Sequence, residues 1–119
     1  MNNKKQIGQQ GELLAEKYLK QQGYEIIAKN YRLGRLELDI ISKYKNNLIF
    51  VEVKTRQKTS ASRFDNNLGH QQINNLKRAL TTFCLTKHYN LETARLDLIV
   101  IMIDQPTGVY TLKHYPDIF

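Results

Sequence analysis

The stretch that most restricts the fold is Leu48-Ile49-Phe50-Val51-Glu52-Val53-Lys54-Thr55-Arg56. β-Branched and aromatic residues dominate it, and Asn46-Asn47 supplies a turn signal just before, so it reads as a strand. A strand sends alternate side chains to opposite faces. Val51, Val53 and Thr55 therefore share one face, and Phe50, Glu52, Lys54 and Arg56 share the other. An anion and a cation thus sit side by side on a strand otherwise apolar enough to be buried. Burying such charges is costly unless something pairs or binds them.

The strand before it repeats the pattern. Leu36-Glu37-Leu38-Asp39-Ile40-Ile41 alternates, which predicts Glu37 and Asp39 on one face and Leu36, Leu38 and Ile40 on the other. The link Lys43–Asn47 is short enough for a hairpin. Pairing the two strands brings Asp39, Glu52 and Lys54 toward one spot. Two carboxylates offer hard oxygens that suit Mg²⁺ or Mn²⁺. A neighbouring lysine can orient a water or offset charge developing on a phosphate. The competing reading is a solvated charge ladder on an exposed face. The apolar setting and the added aspartate weigh against it.

At 119 residues the chain is expected to form a single domain over 1–119. Its 41% hydrophobic and 24% charged residues fit a globular protein. No apolar run approaches the length of a membrane span, and the first residues lack the hydrophobic core of a signal peptide. No membrane insertion and a cytoplasmic location are the expectations. Cys84, the single cysteine, has no internal disulfide partner and reads as a small buried hydrophobe. Eighteen lysines and arginines against eleven acids leave a net charge of +7, which favours a polyanion such as nucleic acid.

Apolar residues at helical spacing predict a helix over Ile7–Gln22, closed by Gly23. Gly8 and Gly11 weaken that helix and allow a close backbone approach to a sheet or ligand. Glu12, near its start, reads first as a favourable partner of the helix N-terminus. Strands follow over about 24–31, 36–44 and 48–56, with a turn at Arg32-Leu33-Gly34-Arg35 that carries two cations. The polar stretch 57–67, with Lys58, reads as an exposed mobile loop placed to reach a substrate. A second helix is predicted over 71–88, with Gln72 at its start. The nearly continuous apolar run Arg95–Ile103 predicts a central strand, and Val109–His114 a last, shorter one. The order is α-β-β-β-α-β-β, an α/β fold with a mixed sheet flanked by helices. The three histidines lack metal-ligand spacing, and no nucleophile elbow or P-loop occurs.

Several blocks now line up in order: Gly8-x-x-Gly11-Glu12-x-x-Ala15-x-x-Tyr18-Leu19; Gly23-Tyr24-x-Ile26-Ile27-x-x-Asn30-Tyr31-Arg32; Glu37-Leu38-Asp39-Ile40-Ile41; and Phe50-Val51-Glu52-Val53-Lys54-Thr55-Arg56. Together with Arg95-Leu96-Asp97-Leu98-Ile99 they resemble the YraN family of small bacterial proteins, over nearly the whole chain. That family resembles the restriction-endonuclease-like superfamily with its PD-(D/E)xK nuclease core. The resemblance implies Mg²⁺-dependent (or Mn²⁺-dependent) hydrolysis of phosphodiester bonds, in DNA before RNA, on branched or damaged structures. It implies that Asp39, Glu52 and the Val53 carbonyl hold the metal, that Lys54 is the active-site lysine, and that Glu12 is a helix-borne acid of the site. Arg32, Arg35, Arg56, Lys58 and Gln72 are the candidate nucleic-acid contacts. A homodimer is expected if both strands of a duplex are cut. In this chain Leu38 stands where the superfamily has proline, Leu36 where the family has glycine, and Gln72 where it has lysine. A non-catalytic nucleic-acid-binding module or a scaffold on the same fold is the alternative.

Overall fold

The computed structural model describes residues 4–59 and 68–118. Helix α1 (Lys4–Gln21) buries Ile7, Gly11, Ala15 and Leu19, one residue per turn. It starts nearly a turn before the predicted helix. Gly23, at φ +95°, ends it, and the Tyr24 N–H returns to the Leu19 carbonyl at 2.9 Å. Strands β1 (Glu25–Leu33), β2 (Leu36–Tyr44) and β3 (Asn47–Gln57) follow as a meander. The Lys45-Asn46 link has φ of +51° and +67°, the two-residue turn whose twist matches its flanking strands. Helix α2 (His70–Lys87) buries Leu76, Ala79, Leu80, Phe83 and Cys84. It stops at His88, at φ +63°. A 3-10 turn at Leu91–Thr93 leads into β4 (Arg95–Ile103), and β5 (Tyr110–Tyr115) closes the chain. Of the loop expected over 57–67, Gln57 ends β3, Lys58 and Thr59 are exposed, and 60–67 fall outside the described residues.

The five strands are ordered β1-β2-β3-β4-β5. Every neighbouring pair is antiparallel except β3 and β4, which are parallel across the α2 crossover. The sheet is therefore mixed, as the sequence predicts. β4 is buried on both faces, but β3, not β4, is the middle strand. One core lies between the sheet and α2: Leu38, Ile41, Leu48, Phe50, Leu96, Leu98 and Val100 meet Leu76, Leu80 and Phe83. The other lies under α1: Ile40, Ile49, Val51, Ile99, Ile101 and Ile103 meet Ile7, Ala15 and Leu19. Cys84 is buried in the first core, and burial pushes its thiol pKa up, so it behaves as the small hydrophobe expected.

The alternation predicted for β2 fails at one point. Leu38 packs on the α2 side and Ile40 on the α1 side, so they do not share a face. Opposite them Asn30 has φ +50°, and the β1–β2 register skips the Asn30–Asp39 pair. The change of side coincides with the end of the β2–β3 ladder, whose last pair is Ile40 with Val51.

Two contacts fix how the layers sit. A Cβ built on Gly11 would lie 1.9 Å from Thr55 Oγ1, so only glycine lets α1 press its backbone on β3. Gly8, in the same helix, meets nothing within 4 Å. At the opposite end of the sheet Asp97 is fully buried. Arg95 Nε donates to Asp97 Oδ1 at 2.7 Å and Arg95 Nη2 to Oδ2 at 2.9 Å. His114 Nε2 donates to Oδ2 at 2.7 Å, and the Asp117 N–H to Oδ1 at 3.0 Å. The Tyr24 hydroxyl adds a longer bond at 3.3 Å. Burial opposes the Asp97 charge, but the bonds from His114, Arg95 and the Asp117 amide outweigh it and hold the pKa below the usual range. Four elements are tied to one carboxylate.

Urea unfolding tests both contacts. Gly11→Ala is expected to lose about 1–3 kcal/mol by overpacking, part of it recovered by Thr55→Ala. Gly8→Ala is expected to gain about 0.5–1 kcal/mol from helix propensity alone. Asp97→Asn is expected to lose about 2–3 kcal/mol at pH 7, less than for a wholly enclosed pair because Arg95 is partly exposed. The Asp97 contribution is full above the ordinary carboxylate pKa and is lost as pH falls through the lowered folded value. The gap between wild type and Asp97→Asn therefore narrows in acid.

Candidate active site

Where the β2–β3 ladder ends, the two strands fork. Asp39 stands in the fork, and its Oδ2 accepts the Val53 N–H at 2.8 Å. A side chain here takes the place that a main-chain carbonyl holds elsewhere in the ladder, which fixes the carboxylate's orientation. Glu52, one residue before Val53, comes within hydrogen-bonding reach of the Asp39 carboxyl. On its other side Gln72 Nε2, in the first turn of α2, donates to Glu52 Oε2 at 2.8 Å. Glu12 approaches from α1, near enough for the charges of Asp39 and Glu37 to act on it. The Asn30 amide, with its nitrogen turned toward the acids, donates to Glu12 Oε1 at 3.0 Å and Glu37 Oε1 at 3.3 Å. Four carboxylates from three elements lie near one another at this end of the sheet.

The electrostatics follow from that crowding. Burial, the hydrogen bond with Asp39 and its charge push Glu52 up to about 9; the Gln72 bond opposes them and Glu12 adds to the rise. Glu12 is also raised, first by burial and then by Asp39 and Glu37, against the bond from Asn30 and the charge of Lys29. The crowding of acids and their burial thus favour the neutral form of Glu52 and oppose ionisation of Glu12. Among the described residues no three His, Cys, Asp or Glu side chains converge as a ready-made cation cage. Mg²⁺ does not need one, since it commonly takes one or two carboxylates and completes its shell with water and substrate phosphate. Asp39, Glu52 and the Val53 carbonyl are a donor set of that kind.

Lys54 lines the same cavity as Glu52, Gln72, Arg56 and Leu68, a space of about 420 Å³. A second cavity, of about 550 Å³, runs along Glu12, Val53, Thr55, Arg56 and Lys4. Val53, Thr55 and Arg56 line both cavities, while Val53 packs toward the α1 core and Glu52 meets Gln72 of α2, so the two residues face opposite sides of β3, as their alternation predicts. Arg56 and Lys58 are exposed at the end of β3, and Arg56 Nη1 donates to the Thr55 carbonyl at 3.1 Å. Arg32 and Arg35 are exposed at the β1–β2 hairpin. Gln72, a candidate nucleic-acid contact whose place at the helix start also puts it within reach of the site, touches the centre through its bond to Glu52. Asn30 and Glu37 were not singled out from the sequence as site residues. The usable signals were Glu37's shared face with Asp39 and the ease with which asparagine adopts positive φ.

Three comparisons place the chain. The sequence profile of the Uncharacterised protein family UPF0102 matches residues 11–101. A UPF0102 protein of Chlorobium limicola is 35% identical over 117 residues, covering 95% of this chain and 91% of that one. Another, from Nitratidesulfovibrio vulgaris, is 37% identical over 112 residues, covering 94% and 82%. A third, from Corynebacterium efficiens, is 34% identical over 113 residues, covering 94% and 90%. Among solved structures, that of Pyrococcus furiosus SfsA in complex with Ca²⁺ overlaps with a TM-score of 0.44 at 13% identity, over 88% of this chain and 60% of that one. With the profile spanning the site residues Glu12, Asp39, Glu52 and Lys54, and relatives aligned nearly end to end, the chain belongs to UPF0102, the YraN family of its sequence blocks.

Proposed function

We propose that this protein is a metal-dependent nuclease of the restriction-endonuclease-like type, hydrolysing phosphodiester bonds in DNA. The observation that carries the reading is the pairing of Asp39 and Glu52 in the fork, with Lys54 on the wall of the same cavity as Glu52. The donor set fits Mg²⁺ or Mn²⁺: hard oxygens, one carboxylate held by a main-chain N–H, and a second that keeps a proton where no cation offsets its neighbour. Asp39, Glu52 and the Val53 carbonyl would hold the ion. Bound there, it would supply Lewis acidity to a phosphate oxygen and make a coordinated water more acidic.

The chain's own groups supply the rest. Val53 N–H keeps Asp39 aimed into the fork. Gln72 Nε2 keeps Glu52 turned toward Asp39. Lys54 carries a cation at the wall where a phosphate would lie, suited to orient the attacking water and to offset charge on the phosphate oxygens. Glu12 is a third acid, placed by α1 to accept a proton from that water or to bond the hydrated ion. Arg56 and Lys58 at the end of β3, with Arg32 and Arg35 on the hairpin, provide phosphate contacts on either side. The net charge of +7 suits a polyanionic substrate, while the carboxylates confine negative charge to the fork.

Calorimetry with Mg²⁺ and Mn²⁺, beside cleavage of branched and flapped DNA, tests the reading. Wild type is expected to bind the ion and cut. Asp39→Ala is expected to lose both, and Lys54→Ala to keep ion binding while cleavage falls about a hundredfold or more. DNA binding without ion binding or cleavage in the folded wild type would instead identify a non-catalytic module.

The proton on Glu52 gives a second, thermodynamic test. The folded state holds it more tightly than the unfolded chain, where glutamate titrates near 4.5. Its contribution to stability is full below that value and is lost as pH rises toward about 9. Glu52→Gln is expected to flatten this decline and to raise Tm by about 4 °C or more at pH 8. Mg²⁺ is expected to raise the Tm of wild type at that pH, by linkage, and to leave Glu52→Gln nearly unmoved. Thermal scans between pH 5 and 9, with and without Mg²⁺, read both effects.

A further inference from the structure

A groove of about 580 Å³ lies between the β1–β2 hairpin and α2. Its floor is apolar: Leu33, Leu36 and Ala79. Two guanidiniums, Arg35 and Arg78, stand beside it with Asn75. Both arginines are exposed, and among the described residues neither has a carboxylate partner within salt-bridge reach. Arg35 comes from the hairpin and Arg78 from the helix, so the cations belong to separate elements facing one concavity.

Two elements connect the groove to the fork. Along β2, Leu36 is three residues from Asp39, a span of roughly 10 Å. Along α2, Arg78 is six residues from Gln72, a rise of roughly 9 Å. Both elements lead from the carboxylates to the groove. A chain with its scissile phosphate at Asp39 and Glu52 would lay a neighbouring nucleotide there. The volume falls in the range of about 300–1,000 Å³ common for small-ligand sites. A duplex presents phosphates outward and keeps its bases stacked, so it has nothing to place on an apolar floor. An unpaired nucleotide has both parts: a flat base for the floor and the guanidinium faces, and phosphates for the guanidinium edges.

We propose that this groove is a subsite for an unpaired nucleotide, with Arg35 and Arg78 on its phosphates, so that the enzyme engages single-stranded segments beside the bond it cuts. The proposal rests on the nuclease reading for the position of that bond, but groove binding itself is independent of the metal.

The test uses fluorescence anisotropy in EDTA across a salt series. One probe is a fluorescein-labelled oligothymidylate of about ten nucleotides, within the usual site sizes. The other is a hairpin duplex with the same number of phosphates. Wild type is expected to prefer the single strand. The Arg35→Ala/Arg78→Ala variant is expected to bind it about tenfold or more weakly, with the log–log salt slope smaller by about 1.4, the value for two phosphate contacts on a single strand. Duplex binding is expected to fall by clearly less, by no more than the loss of the general phosphate contact of Arg35. Asn75→Glu, which puts an anion in the groove, is expected to reproduce the loss, and the Arg35→Lys/Arg78→Lys variant to recover part of it. Unchanged single-strand binding in the folded alanine variant overturns the proposal. So does an equal loss on both probes, or a wild type that binds no single strand. Cleavage in Mg²⁺ is scored separately. Selective groove binding without cleavage removes the hydrolase reading and leaves the subsite. Cleavage with unchanged binding by the alanine variant removes the subsite and leaves the hydrolase.

Discussion

The bond from the Val53 N–H to Asp39 is the point on which the site depends. A ladder between two antiparallel strands normally continues until a strand ends or turns away. Here β2 extends four residues beyond the end of the ladder, Leu36–Asp39, three of them still paired with β1, while β3 runs on beside β4. What parts the strands is a change of side at Asn30 and Asp39, seen in the positive φ of one and the skipped pair. The carboxylate that occupies the gap satisfies the amide that the missing carbonyl would have taken. A buried N–H without a partner is costly, so the same side chain that marks the centre also removes a defect in the sheet. The fold and the proposed centre share one hydrogen bond.

The protein buries acids in two contrasting ways. Asp97 is enclosed, yet Arg95, His114, Tyr24 and the Asp117 amide converge on it, so its charge is stabilised. It joins α1's outgoing turn, β4, β5 and the C-terminal segment. Glu52 has one amide donor, Gln72, and faces other acids, so its neutral form is favoured. The first arrangement is complete within the chain. The second leaves the acid without a cationic partner among those that set its titration, which is what the proposed ion would supply. That difference between two acids on neighbouring strands separates a structural role from a binding one better than burial alone does.

Much of the fold was legible because its signals are local. The 3.6-residue stripe of α1, the continuous apolar run of β4, and the Asn46-Asn47 and Gly34 turns each act within a few residues, and the observed elements follow them closely. Asp39, Glu52 and Lys54 were legible as charges in apolar strands, and Glu12 through the family blocks. The side-switch between Leu38 and Ile40 was not, because strict alternation is the rule it breaks and its cause lies across the sheet at Asn30. Nor was the bond from Gln72 to Glu52, which depends on how α2 docks. Arg95, Asp97 and His114 were visible singly, but their convergence needs the β4–β5 register and the end of α1.

Gly11 has a consequence beyond packing. It seats the helix backbone directly on Thr55, and the next residue is Glu12. A side chain at such a contact can change rotamer, but backbone pressed on a strand has little room to slide. The third acid is therefore mounted on a rigid strut, and mutual repulsion in the fork cannot be relieved by letting α1 drift away. The closeness of the acids in the fork is thus set by the packing of the helix as well as by their own hydrogen bonds.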